Sequence, residues 1–323
     1  MRTFSIIMNF ALVFATLGLV TPAGAQWPQT TDHNPWSLEI GGKAYNRPGS
    51  KLDIPLITDS ITRETLFNAG DATELGSTAA AEIKFDFNSK TGQDWQIRSI
   101  LANWEEASDP ILGPNLESPF FPTGIVPDQF NYDYDSSLYS FELMGRRAVR
   151  PGIVLMFGPR VVSTKDTAVQ RSRLLVNPGG GVPPLTVTSE SVTEATNILM
   201  GLQTGFELNR PVSNGIYASS FIRVGGYYNP TEVNFTDSSS IAPTVSNTLT
   251  KSTGSFLGEV GGRVYMDIVP NCFSGYVGYE ANWIDGIALA PPQLLQPATA
   301  IPSIETANTI FFHGLTFGLK FTY

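Results

Sequence analysis

Apolar and polar residues alternate one by one over many short stretches of this chain. In the last stretch, Tyr323, Phe321 and Leu319 share one face, whereas Thr322 and Lys320 fall on the other. A period of two predicts a β-strand with one apolar and one polar face. The same pattern recurs upstream, and the sequence predicts ten strands, at 36–45, 80–87, 95–101, 139–144, 153–161, 196–207, 216–224, 256–267, 273–283 and 311–323.

The connections between these strands alternate strictly between long and short. Five are long and are predicted to be loops, at 46–75, 105–135, 163–193, 229–251 and 285–308. The short ones carry turn residues, for example Asn214-Gly215 and Pro270-Asn271. Long external loops and short periplasmic turns are typical of outer-membrane barrels, whereas a Greek-key sandwich has no reason to keep this alternation. We therefore predict an all-β fold, a transmembrane antiparallel up-and-down β-barrel of about ten strands, with eight or twelve as alternatives.

The C-terminal strand ends on an aromatic residue, Tyr323. This ending resembles the C-terminal signature of bacterial outer-membrane barrels. We expect the barrel-assembly machinery to engage this strand, and outer-membrane lipid and lipopolysaccharide to surround the barrel at residues 36–323. An even number of strands places both termini in the periplasm, and a homo-oligomer is left open.

The N-terminus has the features of an export signal. Arg2 precedes an apolar run at 4–20, which ends in Ala23-Gly24-Ala25. This pattern predicts a cleaved signal peptide at 1–25 and a periplasmic lead at 26–35. The competing interpretation, a membrane-spanning anchor, is disfavoured because the run is at the short limit for a span and contains Asn9.

Charge and composition narrow the classes of partner. The net charge is -9, and removal of the signal peptide with Arg2 takes it to -10. An acidic chain argues against nucleic acid as a partner. The single cysteine, Cys272, cannot form an internal disulfide.

Several segments of the C-terminal half resemble the β-barrel porin families of planctomycete-type bacteria. They are 197–205 (NILMGLQTG), 258–261 (GEVG), 278–280 (GYE) with Trp283, 286–291 (GIALAP) and His313-Gly314. The resemblance implies an outer-membrane barrel and brings no catalytic residues with it.

Charged and amide residues lie on the polar phase of the predicted strands. They are Glu82, Lys84, Arg98, Glu142, Arg160, Gln203, Arg223, Glu259, Arg263, Glu280 and Lys320. One interpretation is the lining of a narrow, porin-like channel for small hydrophilic solutes or ions. The alternative is a closed structural or adhesive barrel whose external loops bind partners, because a barrel of about this size can be filled by side chains and interleaved acids and bases can pair.

The connection at 105–135 is rich in acidic residues and contains no Lys or Arg. Asp128, Asn131, Asp133 and Asp135 offer the oxygen ligands that calcium prefers, although their spacing matches no EF-hand. A solvated, self-repelling surface loop is the competing interpretation.

Histidine, the usual catalytic base, occurs only at His33 and His313. His313 lies on the same face of its predicted strand as Tyr323, so we expect it to face lipid near the outer rim. This position permits a third interpretation, an outer-leaflet lipid hydrolase. The serine that such an enzyme is expected to have two residues after the histidine is absent, because that position is Leu315. The sequence predicts no catalytic residues, metal or cofactor, and the protein is expected not to be an enzyme.

Overall fold

A computed structural model describes residues 36–49, 55–68, 75–87, 93–113, 116–117, 127–176, 183–293 and 303–323. Its first strands are Trp36–Arg47 (β1), Pro55–Asp59 (β2), Thr65–Asn68 (β3), Gly76–Phe87 (β4), Gln93–Ala107 (β5), Ile111–Leu112 (β6) and Leu116–Glu117 (β7). The remaining elements are Gln129–Arg150 (β8), Ile153–Val176 (β9), Leu185–Ser213 (β10), Ile216–Ser239 (β11), Ala242–Val269 (β12), Phe273–Ile287 (β13), the short helix Ala290–Gln293 (α1) and Asn308–Thr322 (β14). The predicted signal peptide and lead, with His33, lie outside the described residues.

Ten of these strands close into a ring. Each pairs antiparallel with its neighbours in the order β1, β4, β5, β8, β9, β10, β11, β12, β13 and β14, and β14 pairs back with β1. At the seam, Tyr323 N donates to Trp36 O at 3.0 Å and the two rings stack with centroids 4.3 Å apart. The predicted up-and-down barrel of ten strands is confirmed, and closure leaves no sheet edge within the membrane.

The turns at one end of the ring, here called the turn end, are tight. Gly215 and Asn271 both have positive φ, of 72° and 59°. Glycine and asparagine tolerate this left-handed conformation better than other residues. The opposite end, called the loop end, carries the other connections, which range from a two-residue turn between β11 and β12 to the long segment between β1 and β4. No helix in the described ranges is long and apolar enough to cross a bilayer.

Every barrel strand exposes a large apolar side chain on the outside of the ring. These are Ile40, Ile83, Ile97, Phe141, Phe157, Leu202, Tyr228, Val264, Val277 and Phe317, each at least 40% exposed. An apolar belt of this extent fits the hydrocarbon of a bilayer rather than water. The apolar face that the sequence predicts for each strand is therefore confirmed as the outward face on all ten strands.

Five strands are longer than a membrane requires. β8 to β12 have 22 to 29 residues each, whereas a tilted transmembrane strand needs about 9–11. Their excess at the loop end forms a sheet that we call the projecting wall (129–137, 163–176, 185–196, 230–239 and 242–254). The prediction of a solvated loop at 229–251 is wrong, because these residues pair as one hairpin of β11 and β12. The predicted loop at 163–193 is wrong for 163–176 and 185–193, which pair as extensions of β9 and β10.

The connections at 46–75 and 105–135 supply a small sheet beside the wall. In it β2 pairs with β3 and β7. Leu56, Ile57 and Leu116 are fully or almost fully buried, and Phe67 packs on Tyr132 with ring centroids 5.3 Å apart. These contacts cover the inner face of the wall.

Tyr276 lies across two glycines of the neighbouring strands. A Cβ added to Gly41 would stand 2.1 Å from the Tyr276 hydroxyl and 2.7 Å from Phe317 O. Because both the strand pairing and the ring would have to shift, we expect Gly41→Ala to cost about 1–3 kcal/mol of unfolding free energy, measured by urea unfolding in vesicles. Gly226→Ala is the matched control, since nothing lies within 4 Å of its Cβ. Equal stability of the two variants would contradict the close approach.

Candidate functional site: a lumen filled by ion pairs

The inward positions of the barrel carry most of its charge. Ten of the eleven residues predicted to face inward are buried there, with at most 8% of their surface exposed. The eleventh, Lys320, lies near the turn end and has a side chain 23% exposed. The structure therefore brings all eleven residues together inside the ring.

Arg98 is at the centre of this group. Its guanidinium contacts Glu82 closely and lies 2.5 Å from Glu259, 3.4 Å from Glu280 and 3.6 Å from Glu142. These four carboxylates come from four different strands, so one side chain of β5 reaches across the lumen. A planar guanidinium with five donors suits this multiple pairing better than a lysine would.

The other inward arginines bridge the same carboxylates. Arg160 and Arg223 each pair with both Glu142 and Glu259, at 2.9 to 3.7 Å. Arg263 pairs with Glu82 at 2.7 Å and with Glu39 at 3.0 Å. Shared partners make the pairs one network rather than a set of isolated bridges.

The network continues towards the turn end. Lys84 pairs with Glu39 at 2.8 Å and approaches Asp86 at 3.7 Å. Arg146 joins Asp86 to Glu207, at 3.1 and 3.2 Å. In all, eight cations and seven carboxylates are connected, and we call them the lumen network: Lys43, Lys84, Arg98, Arg146, Arg160, Arg223, Arg263 and Lys320 with Glu39, Glu82, Asp86, Glu142, Glu207, Glu259 and Glu280.

Sequence reasoning missed five members of the network: Lys43, Glu39, Asp86, Arg146 and Glu207. Glu39, Lys43, Asp86 and Glu207 lie on the polar phase of their strands, so strand parity was sufficient to find them. Arg146 lies beyond the end of the predicted fourth strand, which stopped at residue 144. Only the observed length of β8 shows that its side chain reaches Asp86 and Glu207.

Burial makes this pairing obligatory. An unpaired charge removed from water costs several kcal/mol, and that cost is offset only when opposite charges and hydrogen bonds surround it. Each carboxylate of the network contacts at least one cation, and Glu259 contacts three, Arg98, Arg160 and Arg223. The arrangement therefore crosslinks the strands of the barrel through its interior.

An apolar layer covers the network on the side of the loop end. Tyr45 contacts Glu280 with its hydroxyl and packs edge-on against Phe312, with ring centroids 5.1 Å apart. Trp104, Leu199 and other buried apolar residues complete the layer. Ionic and apolar layers thus lie one above the other in the lumen.

The segment after β13 enters this layer. Residues 287–293, which include α1, are all buried. Asn197 of β10 holds the segment: its amide donates to Ala288 O at 2.8 Å, and its carbonyl accepts from Ala288 N at 2.9 Å. In the same way, the Gln293 amide donates to Glu305 O and its carbonyl accepts from Glu305 N. We call 286–293 the inner segment.

A second ion pair lies near the mouth. Arg47 pairs with Asp166 at 3.3 Å and donates to Tyr134 at 2.9 Å and Ser136 at 2.5 Å. All four side chains are buried, so this end of the lumen is also occupied by side chains.

The four candidate calcium ligands are not brought together. Asn131, Asp133 and Asp135 follow one another at alternate positions on the outward face of β8, where neighbours are about 7 Å apart. Asp133 pairs with Arg171, and Asp128 is 3.6 Å from Arg173. Within the described part of the chain, no three His, Cys, Asp or Glu side chains are placed to hold a metal ion.

His313 faces outward from β14. Its Nδ1 is hydrogen-bonded to the hydroxyl of Tyr279 on β13, and Phe311 packs beside it. Leu315 is the next outward residue on the same strand and is 55% exposed. The histidine therefore lies among aromatic and apolar side chains on the outer surface.

A closed antiparallel ring with an apolar outer belt and a charged interior defines a transmembrane β-barrel of the bacterial outer-membrane type. No protein-family model matches the sequence, and no curated protein matches it. Among solved structures, the chain is similar to the outer membrane protease OmpT from Escherichia coli, with 10% identity, 90% of this chain and 97% of that chain covered, and a TM-score of 0.42.

Two further structures show the same level of similarity or less. The translocator domain of the autotransporter NalP from Neisseria meningitidis has 10% identity, covers 100% of this chain and 96% of its own, and has a TM-score of 0.42. A mutant of the monoaromatic hydrocarbon channel TodX has 7% identity, 90% coverage of both chains and a TM-score of 0.31. At these scores no function is transferred, and the fold assignment rests on the strand pairing and the two faces described above.

Proposed function

We propose that the protein is a closed outer-membrane barrel that acts at the cell surface through its projecting wall, and not through an open lumen. One observation carries the proposal: apart from Lys320, the side chains of the lumen network are at most 12% exposed. The charged lining of a water-filled pore would be wetted. The proposal places the wall outside the cell and both termini in the periplasm.

The segments that resemble planctomycete porin families support the same proposal. Asn197 and Gln203, Glu259, Glu280 and Ala288 each come from one of those segments, and all face the filled interior. Under this proposal the chain has no catalytic site, and His313 is a residue of the outer rim.

The narrow, porin-like channel remains the competing proposal, and it requires the lumen network to rearrange. Conductance in planar lipid bilayers distinguishes the two. We expect the wild-type protein to give no stepwise conductance, because eight cations and seven carboxylates would have to separate before water could pass. A general porin reconstituted by the same procedure is the positive control. Reproducible conductance steps from the wild-type protein would refute the closed barrel and support the channel.

A further inference from the structure

The outward side of the projecting wall contains a polar cleft near its tip. The cleft has a volume of about 460 Å³ and is lined by β8, β9, β10 and the end of β11. This volume lies within the usual range of small-molecule sites, about 300–1,000 Å³. No part of the lumen closure contributes to it.

Strand register arranges the lining in two rows across the wall. In the first row Asn131 is opposite Arg171, Arg171 is opposite Glu190, and Glu190 is opposite Ser238. In the second row Gln129 is opposite Arg173, which is opposite Thr188. The rows are about 7 Å apart and neighbouring strands about 4.8 Å apart, so the patch spans roughly the length of a disaccharide or trisaccharide.

The cationic side chains of the cleft are paired with carboxylates. Arg171 donates to Glu190 at 2.7 Å and to Asp133, and Arg173 lies 3.6 Å from Asp128. With two guanidiniums beside three carboxylates, there is no excess positive charge to hold a phosphate or a sulfate. The lining therefore consists of amides, hydroxyls and paired charged groups. Together they can donate and accept hydrogen bonds, as sugar hydroxyls do.

The height of the cleft excludes a lipid headgroup. Arg171 is ten residues beyond Val161, the last belt residue of β9, which is about 33 Å of strand and about 25 Å along the membrane normal at the usual tilt. The headgroup region of a bilayer extends only about 5–8 Å beyond the hydrocarbon. Sugar chains extending from the outer leaflet, or soluble saccharides, reach this height.

We propose that this cleft binds a neutral oligosaccharide. The inference rests on the proposed function in one respect, that the working surface is the wall at the loop end. The sugar chain of lipopolysaccharide in the same membrane and a soluble glycan share the required chemistry, and the experiment separates them.

The test compares two variants of β9. Arg171→Gln removes a cation of the cleft that pairs with Glu190, whereas Lys165→Gln removes a cation on the same face, outside the cleft, that pairs with Glu194. Purified full-length barrel in nanodiscs is screened on an array of neutral glycans, and the best binder is titrated by calorimetry. We expect Arg171→Gln to weaken binding about ten-fold or more and Lys165→Gln to stay within about two-fold, because only the first loses a charge-assisted hydrogen bond to the sugar.

Asn131→Ala provides a second variant, which alters the first row without changing any charge. It too should weaken binding several-fold.

A second experiment uses delipidated sugar chains of the host lipopolysaccharide. If they bind, the surrounding membrane is the source of the ligand. If only array glycans bind, the ligand is a soluble saccharide.

Three results would overturn the proposal: no saccharide bound by the wild type, equal affinities of the wild type and Arg171→Gln, or competition by inorganic phosphate. Conductance is recorded on the same preparations. If no saccharide binds and no conductance is recorded, the proposed saccharide site is refuted but the closed lumen is not. If saccharide binds and conductance steps are recorded, the closed lumen is refuted but the saccharide site is not.

Discussion

Arg98→Ala is expected to lower the free energy of unfolding by about 3–5 kcal/mol, because four buried carboxylates each lose a cationic partner and a cavity is left among them. Arg98 is 1% exposed and contacts four carboxylates that have at most 1% of their side chains exposed. The remaining network would hold seven cations and seven carboxylates, with a void at its centre. Urea unfolding in phospholipid vesicles, followed by tryptophan fluorescence, measures the change.

Lys165→Ala is the control for this variant. Lys165 also belongs to a cross-strand ion pair, at 2.7 Å from Glu194, but its side chain is 49% exposed. Water screens such a pair, so we expect a loss of less than about 1 kcal/mol. If both variants lost the same small amount, water would have to reach Arg98, and the filled lumen would be contradicted together with the proposed function.

Asn197→Ala is the second variant with a large expected effect. It removes the two hydrogen bonds that hold Ala288 and those from Asn229 and Thr231, in a site with no exposed surface. Each buried polar group left without a partner costs about 1–3 kcal/mol, so we expect a loss of roughly 3 kcal/mol or more. We also expect the inner segment to become sensitive to a protease added at the loop end.

Asn234→Ala is the matched control. Asn234 also hydrogen-bonds two side chains, Glu232 and Thr248, but on the exposed wall. Its loss should cost less than about 1 kcal/mol and leave the inner segment protected, because water replaces the missing partners. Unchanged protease resistance in Asn197→Ala would show that the inner segment does not depend on this anchor.

Strand parity is a local property, and this explains why so much of the barrel is predictable. Ile83 and Glu82 must point to opposite faces whatever the rest of the chain does, and the ring only decides which face meets lipid. The wall was missed because residues 229–251 are rich in Ser, Thr and Asn, which are also common in loops, and only a few apolar residues such as Val233 and Phe235 mark the inner face.

The sequence by itself predicted about ten strands, their apolar faces and most of the charged residues that face inward. It left the channel and the closed barrel as alternatives, because parity says which side chains enter the lumen but not whether they meet there. Arg98 and Glu259 are 161 residues apart and 2.5 Å apart in space. Only the diameter and register of the closed ring bring such residues into contact, and that contact is the basis for proposing a closed interior.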